Sequence, residues 1–246
     1  VADVNGDGRP DILAGTDRLD IFLGVGNGEF TRAPDIFNQR VSSLKVADFN
    51  SDGNLDIAVA RYTDTQVRLF LGDGSGRFSG PSSLNTTIQN HVLVVDDFNA
   101  DGNPDVATLN LSDTVSMMMG NGNGTFGNPA LVTFLNGGGS SVEVFLTSAD
   151  LNGDGASDLL VTDLVDGDVV VAHGQDNGTF LTPVVYEFEF GVRGVTCQDV
   201  NGDGLVDLLC NTRRPGIAVR LQQNDGSFEF PSYFLSEEPN VSVLAG

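Results

Sequence analysis

The stretch Asp3-Val4-Asn5-Gly6-Asp7-Gly8-Arg9-Pro10-Asp11 reads D-x-N-x-D-G-x-x-D, and four further copies follow it. They begin at Asp48 (DFNSDGNLD), Asp97 (DFNADGNPD), Asp150 (DLNGDGASD) and Asp199 (DVNGDGLVD), at spacings of 45, 49, 53 and 49 residues. A period of this size marks a repeat architecture, so the chain is read unit by unit. In every copy positions 1, 5 and 9 are Asp, position 3 is Asn and position 6 is Gly. Oxygen donors at alternate positions, ahead of a Gly that permits a tight reversal, suit a hard cation.

The expected side-chain ligands are therefore Asp3, Asn5, Asp7 and Asp11; Asp48, Asn50, Asp52 and Asp56; Asp97, Asn99, Asp101 and Asp105; Asp150, Asn152, Asp154 and Asp158; and Asp199, Asn201, Asp203 and Asp207. The backbone carbonyl of position 7 (Arg9, Asn54, Asn103, Ala156, Leu205) would join them, with water completing about six to eight ligands, the number Ca²⁺ takes. The expectation is five Ca²⁺, one per repeat. No Cys or His occupies these positions, which argues against zinc and copper. An EF-hand needs Glu at position 12, where this chain has Ala14, Val59, Thr108, Val161 and Cys210. It also needs flanking helices, whereas SLKVA before and LDIAVA after the second loop alternate as strands do.

Each repeat follows one plan, clearest in the second. A strand over 43–47 enters the loop, a strand over 55–60 leaves it, and a third over 66–71 runs into Gly72-Asp73-Gly74-Ser75-Gly76. Phe78 then opens a fourth strand. Equivalent turns read GVGNGEF, GNGNGTF, GQDNGTF and QQNDGSF, and Asn-Gly or Asp-Gly between apolar runs signals a hairpin. One Phe follows each turn (Phe30, Phe78, Phe126, Phe180, Phe228), a slot expected in the core. His173 fills a slot held elsewhere by Leu23, Leu71, Met119 and Leu221, and is read as a packing residue.

Four antiparallel strands per unit, repeated without helices, describe an all-β fold. It is a β-propeller of five four-stranded antiparallel blades forming one domain over 1–246. Asn240–Gly246 repeats the pattern of a strand preceding a loop. It either completes the first blade as its fourth strand or opens a sixth. The chain opens inside a repeat without Met, as a mature fragment or excised domain would.

The pattern D-x-N-x-D-G-x-x-D-[ILV], with the glycine turn and Phe that follow, resembles the FG-GAP/VCBS-type repeat, whose best-known relative is the integrin α-subunit propeller. The resemblance covers all five units. It implies a Ca²⁺ loop between the first two strands of each blade. Five loaded loops in five blades depart from the integrin arrangement and look more like the metal-rich arrays of secreted or surface proteins.

The formal charge is −22, from 34 acidic and 12 basic residues, and the loops hold 15 of the acids. Much of this acidity is a metal inventory, and a basic footprint for nucleic acid is missing. No apolar run is long enough for a membrane helix. Weak Ca²⁺ sites fill where Ca²⁺ is about millimolar, which points to an extracellular or cell-surface setting. Two His and two Cys form no nucleophilic set. Cys197 and Cys210 lie on adjacent strands and are either a disulfide or two free thiols. The connections at the other end of the blades vary and present Arg61, Tyr62, His91, Tyr186, Arg193, Arg213 and Arg214 as candidate ligand contacts. The function expected first is a calcium-stabilised, non-enzymatic binding or adhesion module for a protein or glycan. A polysaccharide lyase-like enzyme or its accessory domain, and a spacer in a longer surface protein, are the alternatives.

Overall fold

A computed structural model describes residues 1–62, 64–86, 89–110, 114–133, 145–163 and 166–235. The chain's 240–246 segment lies outside them. Among the described residues there are strands and turns and no helix.

The first blade has three strands, β1 (Ile12–Gly15), β2 (Leu19–Gly26) and β3 (Glu29–Arg32). The second is β4 (Ser43–Ala47), β5 (Asp56–Ala60), β6 (Gln66–Gly72) and β7 (Phe78–Asn85). The third is β8 (Asn90–Asp96), β9 (Asp105–Asn110), β10 (Thr114–Met118) and β11 (Ala130–Thr133). The fourth is β12 (Phe145–Ala149), β13 (Asp158–Asp163), β14 (Asp168–Ala172) and β15 (Val184–Tyr186). The fifth is β16 (Val192–Gln198), β17 (Asp207–Thr212), β18 (Gly216–Arg220) and β19 (Ser232–Leu235). Every sheet is a meander of antiparallel neighbours in sequence order, the blade expected of a β-propeller. The first blade has three strands rather than four among the described residues. What precedes its loop is a single bridge between Ala2 and Asp11.

The chain divides into two compact units, Val1–Asp97 with Gly102–Thr133, and Phe98–Asp101 with Phe134–Gly246. In the first unit β5 is buried at every position, because its alternate side chains enter different cores. Ile57 and Val59 pack with Leu19, Ile21, Phe37 and Phe70 of one core. Ala58 and Ala60 face the next, with Phe49, Leu93, Val106 and Met118. The small side chains on the second face let the neighbouring blade come close, where Ser43 Oγ accepts from Leu93 N at 3.2 Å. In the second unit the same layering joins Leu160, Val169 and Val171 to Leu208, Cys210 and Ala218.

The Phe slot shows how consecutive blades are tied. Phe126 lies 5.8 Å, centroid to centroid, from Phe49, the residue at position 2 of the preceding loop. Phe180 meets Phe98 likewise at 6.1 Å. Phe78 packs into the core that contains Val4, and Phe228 into the core that contains Leu151. Phe30 departs from the expectation: it is 44% exposed. The cover this slot receives elsewhere is the loop of the preceding blade, which the first blade does not have within its unit.

Phe70 is fully buried and stacks edge-on against Phe37 at 5.5 Å. Phe70→Ala is expected to cost about 3–5 kcal/mol in urea unfolding, and Phe30→Ala less than about 1 kcal/mol. Equal losses would contradict this packing scheme.

Candidate metal centre

In the second to fifth blades the nonapeptide loops join the first two strands, in the first blade the loop lies between the paired residues Ala2 and Asp11, and one hydrogen-bond pattern recurs in them. The carboxylate at position 1 accepts the N–H of the position-6 glycine, as Asp3 does from Gly8 and Asp48 from Gly53, both at 2.8 Å. Asp97, Asp150 and Asp199 do the same for Gly102, Gly155 and Gly204. The Asn at position 3 turns its Oδ1 to the position-5 N–H and donates its Nδ2 to the position-5 carboxylate. Asn50 Nδ2 lies 3.0 Å from Asp52 Oδ2, and Asn201 Nδ2 lies 2.9 Å from Asp203 Oδ2. The position-5 carboxylate in turn accepts the position-7 N–H, as in Asn54 N to Asp52 at 2.8 Å. These bonds from Asn54 N–H and the Asn50 amide hold the Asp52 carboxyl below its ordinary value. Asp199 is held low chiefly by the Gly204 N–H.

Position 6 has φ between 79° and 90° in all five loops, the left-handed region that makes glycine the residue of choice there. Position 4 is left-handed as well, and there Ser51 (φ 57°) and Ala100 (φ 55°) hold a conformation that L residues adopt at a cost of about 1–2 kcal/mol. Nothing in the sequence pattern flagged that position.

Position 9 stands apart. Asp11, Asp56, Asp105, Asp158 and Asp207 are all fully buried. Asp56 Oδ2 accepts Phe49 N at 2.9 Å and its Oδ1 accepts Gly72 N at 2.8 Å. Asp11 accepts Val4 N and Gly24 N, Asp158 accepts Leu151 N and Gly174 N, and Asp207 accepts Val200 N and Gln222 N. Burial pushes the Asp56 carboxyl up, opposed by the Gly72 and Phe49 N–H groups. The acceptor's partner on the third strand is glycine in four blades for a steric reason. A Cβ at Gly24 would lie 2.4 Å from the Pro10 carbonyl oxygen, and at Gly72 2.2 Å from that of Leu55. Gln222 takes this place in the fifth blade, with its amide bridging Val206 N and the Leu151 carbonyl. His173 does more than pack: its Nδ1 lies 3.0 Å from Asp158 Oδ2. That bond lifts the imidazole above its ordinary value.

The donor set is one a hard cation accepts. Positions 1, 3 and 5 offer half-buried to exposed carboxylate and amide oxygens and no nitrogen or sulfur ligand. Among the described residues no three Asp, Glu, His or Cys side chains converge into a cage by themselves. Each loop instead combines two rim carboxylates with an amide, while its third carboxylate is anchored inside.

The seven loop candidates, each taken by itself, have different surroundings. Arg61 is paired with Asp64, which also holds Arg68 at 2.9 Å. Tyr62 is 37% exposed. His91 lies on β8, its side chain outside the described set. Tyr186 is a packing residue, edge-on to Phe228 at 5.2 Å. Arg193 sits exposed at an irregularity in β16 pairing. Arg213 and Arg214 are exposed, and the Arg214 guanidinium lies over the Phe190 ring at 4.4 Å. Phe190, Tyr233 and Arg220 were missed in the sequence. Phe190 stacks on Tyr233 at 4.8 Å, and buried Arg220 lies 4.7 Å from the Phe188 ring, donating to the Glu229 carbonyl. No local spacing signals such long-range pairings.

Cys197 and Cys210 are free thiols on β16 and β17. Burial pushes the Cys197 thiol up to about 12, so it stays protonated at neutral pH and is a poor nucleophile.

The family model of the FG-GAP-like repeat matches residues 3–59, 48–108, 97–161 and 150–210. No curated protein sequence matches the chain. Among solved structures, an Agrocybe aegerita lectin described as recognising non-reducing terminal N-acetylglucosamine aligns over 96% of this chain and 65% of its own, at 22% identity and a TM-score of 0.71. A Lactobacillus plantarum protein aligns over 92% and 66%, at 17% identity and 0.64. The BBS1N protein, solved in complex with ARL6DN, aligns over 93% and 64%, at 11% identity and 0.60. The chain thus spans just under two thirds of each, and at these identities the likeness is one of fold.

Asp56→Ala would leave the buried N–H groups of Phe49 and Gly72 without an acceptor. With EDTA present throughout, it is expected to cost roughly 3 kcal/mol or more in urea unfolding, against less than about 1 kcal/mol for Asp52→Ala. Similar losses for both would refute the anchoring role of position 9.

Proposed function

This chain belongs to the FG-GAP-like repeat family, and from that membership we propose that it is a calcium-stabilised, non-enzymatic binding module of the cell exterior that presents its variable loops to a glycan or protein. The observation that carries the reading is the fivefold recurrence of an oxygen-only rim at positions 1, 3 and 5 above an anchored carboxylate at position 9. Turn chemistry alone asks for Asp, Asn and Gly, but not for the same four positions five times over.

The ion would be held by the position-1 and position-5 carboxylates, the position-3 amide oxygen and the position-7 carbonyl. When bound, Ca²⁺ supplies positive charge that offsets carboxylate repulsion. Like charges about 4 Å apart repel by on the order of 1–4 kcal/mol per pair at high effective dielectric. An ion that binds only the folded loops stabilises them by mass action. Partly free rim oxygens and millimolar Ca²⁺ outside cells suit each other.

Support for a glycan as the ligand comes from the lectin among the fold neighbours; support for a protein comes from the BBS1N complex. No helix of the described residues is long and apolar enough to cross a membrane. Protonated thiols and the absence of a nucleophile–base pair in the sequence favour binding over catalysis.

Two measurements test this. EDTA is expected to lower the melting temperature by more than about 10 °C, with Ca²⁺ but not Mg²⁺ restoring it. An unchanged melt would defeat the calcium reading. On a glycan array in Ca²⁺, glycans ending in N-acetylglucosamine are the first expected ligands. A blank array with capture by a protein partner would move the reading to protein recognition.

A further inference from the structure

We propose that the first loop is built around a cation of its own, Arg9, and is therefore the weakest calcium site of the five; the inference rests on the calcium reading above. Position 7 varies along the chain as Arg9, Asn54, Asn103, Ala156 and Leu205, and only the first is charged. The Arg9 guanidinium reaches back into its own loop, with Nη2 2.5 Å from Asp7 Oδ2. Its Nε donates to the Gly24 carbonyl at 2.9 Å. One side chain thus ties the position-5 carboxylate to the glycine turn of the same blade.

Among the described residues, the equivalent carboxylates Asp52, Asp154 and Asp203 take part in no ion pair. In the second and third loops the position-7 Asn approaches the glycine turn without charge. Asn54 Oδ1 lies 2.2 Å from where a Cβ on Gly74 would stand, and Asn103 Oδ1 lies equally close to that of Gly122. Docking position 7 on the turn therefore does not require a cation. In the first loop a dication has to displace the guanidinium from Asp7 or bind beside it, and either weakens binding. The pair is half in solvent, with side chains 49% and 26% exposed, so the handicap is modest, about tenfold in affinity. The benefit falls on the ion-free protein, in which the first loop keeps a positive charge among its carboxylates.

The test is calorimetric titration of the EDTA-stripped whole chain with Ca²⁺ alone, with ion stoichiometry checked by equilibrium dialysis. The wild type is expected to bind one ion about tenfold more weakly than the others. Arg9→Asn, which installs the residue of the second and third loops, brings that ion into line, while Arg9→Lys leaves it weak. Asp7→Asn abolishes the weak ion and spares the tight ones, whereas Asp52→Asn removes a tight one. Five equivalent ions in the wild type, or a weak ion untouched by Arg9→Asn and Asp7→Asn, overturn the proposal and leave the calcium reading standing. No bound ion in any variant defeats both.

Discussion

In the first, second, fourth and fifth blades a buried carboxylate accepts two backbone N–H groups brought from different places. One comes from position 2 of its own loop and the other from the end of the third strand. The pair links the loop, the second strand that begins at the Asp and the hairpin that follows, so three otherwise separate chain segments share one acceptor. Only Asp does this. Asn would point an NH₂ at one of the two donors, and Ala would leave both unsatisfied in the interior, where an unpaired N–H costs about 1–3 kcal/mol. The requirement propagates outward. The third strand must approach the loop closely enough to donate, which puts its residue against the position-8 carbonyl and makes it glycine in four blades.

In the first four loops the position-2 side chain (Val4, Phe49, Phe98, Leu151) is delivered to the interior, where it becomes a seat for the next blade, whereas Val200 of the fifth loop is exposed. Phe49 beneath Phe126 and Phe98 beneath Phe180 are the clearest instances. The nonapeptide loop and the apolar packing between blades are therefore two faces of one motif: positions 1, 3 and 5 line the rim, while position 9 and, in the first four loops, position 2 face the core. A repeat protein needs a rule by which each unit recognises the next, since a single sheet cannot cover both its faces. Here the rule is a Phe in one repeat and an apolar residue 74 to 82 places earlier, at position 2 of the preceding repeat's loop.

The period, the strand plan and the loop positions were legible in the sequence because they are local and repeated, and because strand alternation and glycine turns have short-range causes. The role of position 9 was not. An Asp in a run of Asp and Asn reads as one more ligand, and nothing local tells that its carboxylate also accepts a buried N–H from a strand some fifteen residues further on. The left-handed conformation at Ser51 and Ala100 was hidden for the opposite reason, since neither residue advertises it. Phe30 misled because the slot is defined by a neighbour, and the first blade lacks that neighbour within its unit. The surroundings of the loop candidates were not legible, because a basic residue in a variable connection carries no information about its partner. Arg61 finds Asp64 three residues away, and Arg214 finds the Phe190 ring from a different connection.

The Asn at position 3 explains how such acidic loops hold together before any ion arrives. An Asp there would place a third exposed carboxylate beside those of positions 1 and 5, and would offer no donor. Asn contributes an oxygen to the position-5 N–H and a nitrogen to the position-5 carboxylate, as Asn50 does for Asp52 and Asn152 for Asp154. It replaces a repulsion with a hydrogen bond and keeps an oxygen of the kind a hard cation accepts. On the calcium reading proposed above, Asn at this position in all five copies lets the loop fold empty and still offer an oxygen to the ion. On the same reading Arg9 carries the compromise further, toward stability without the ion and away from affinity for it.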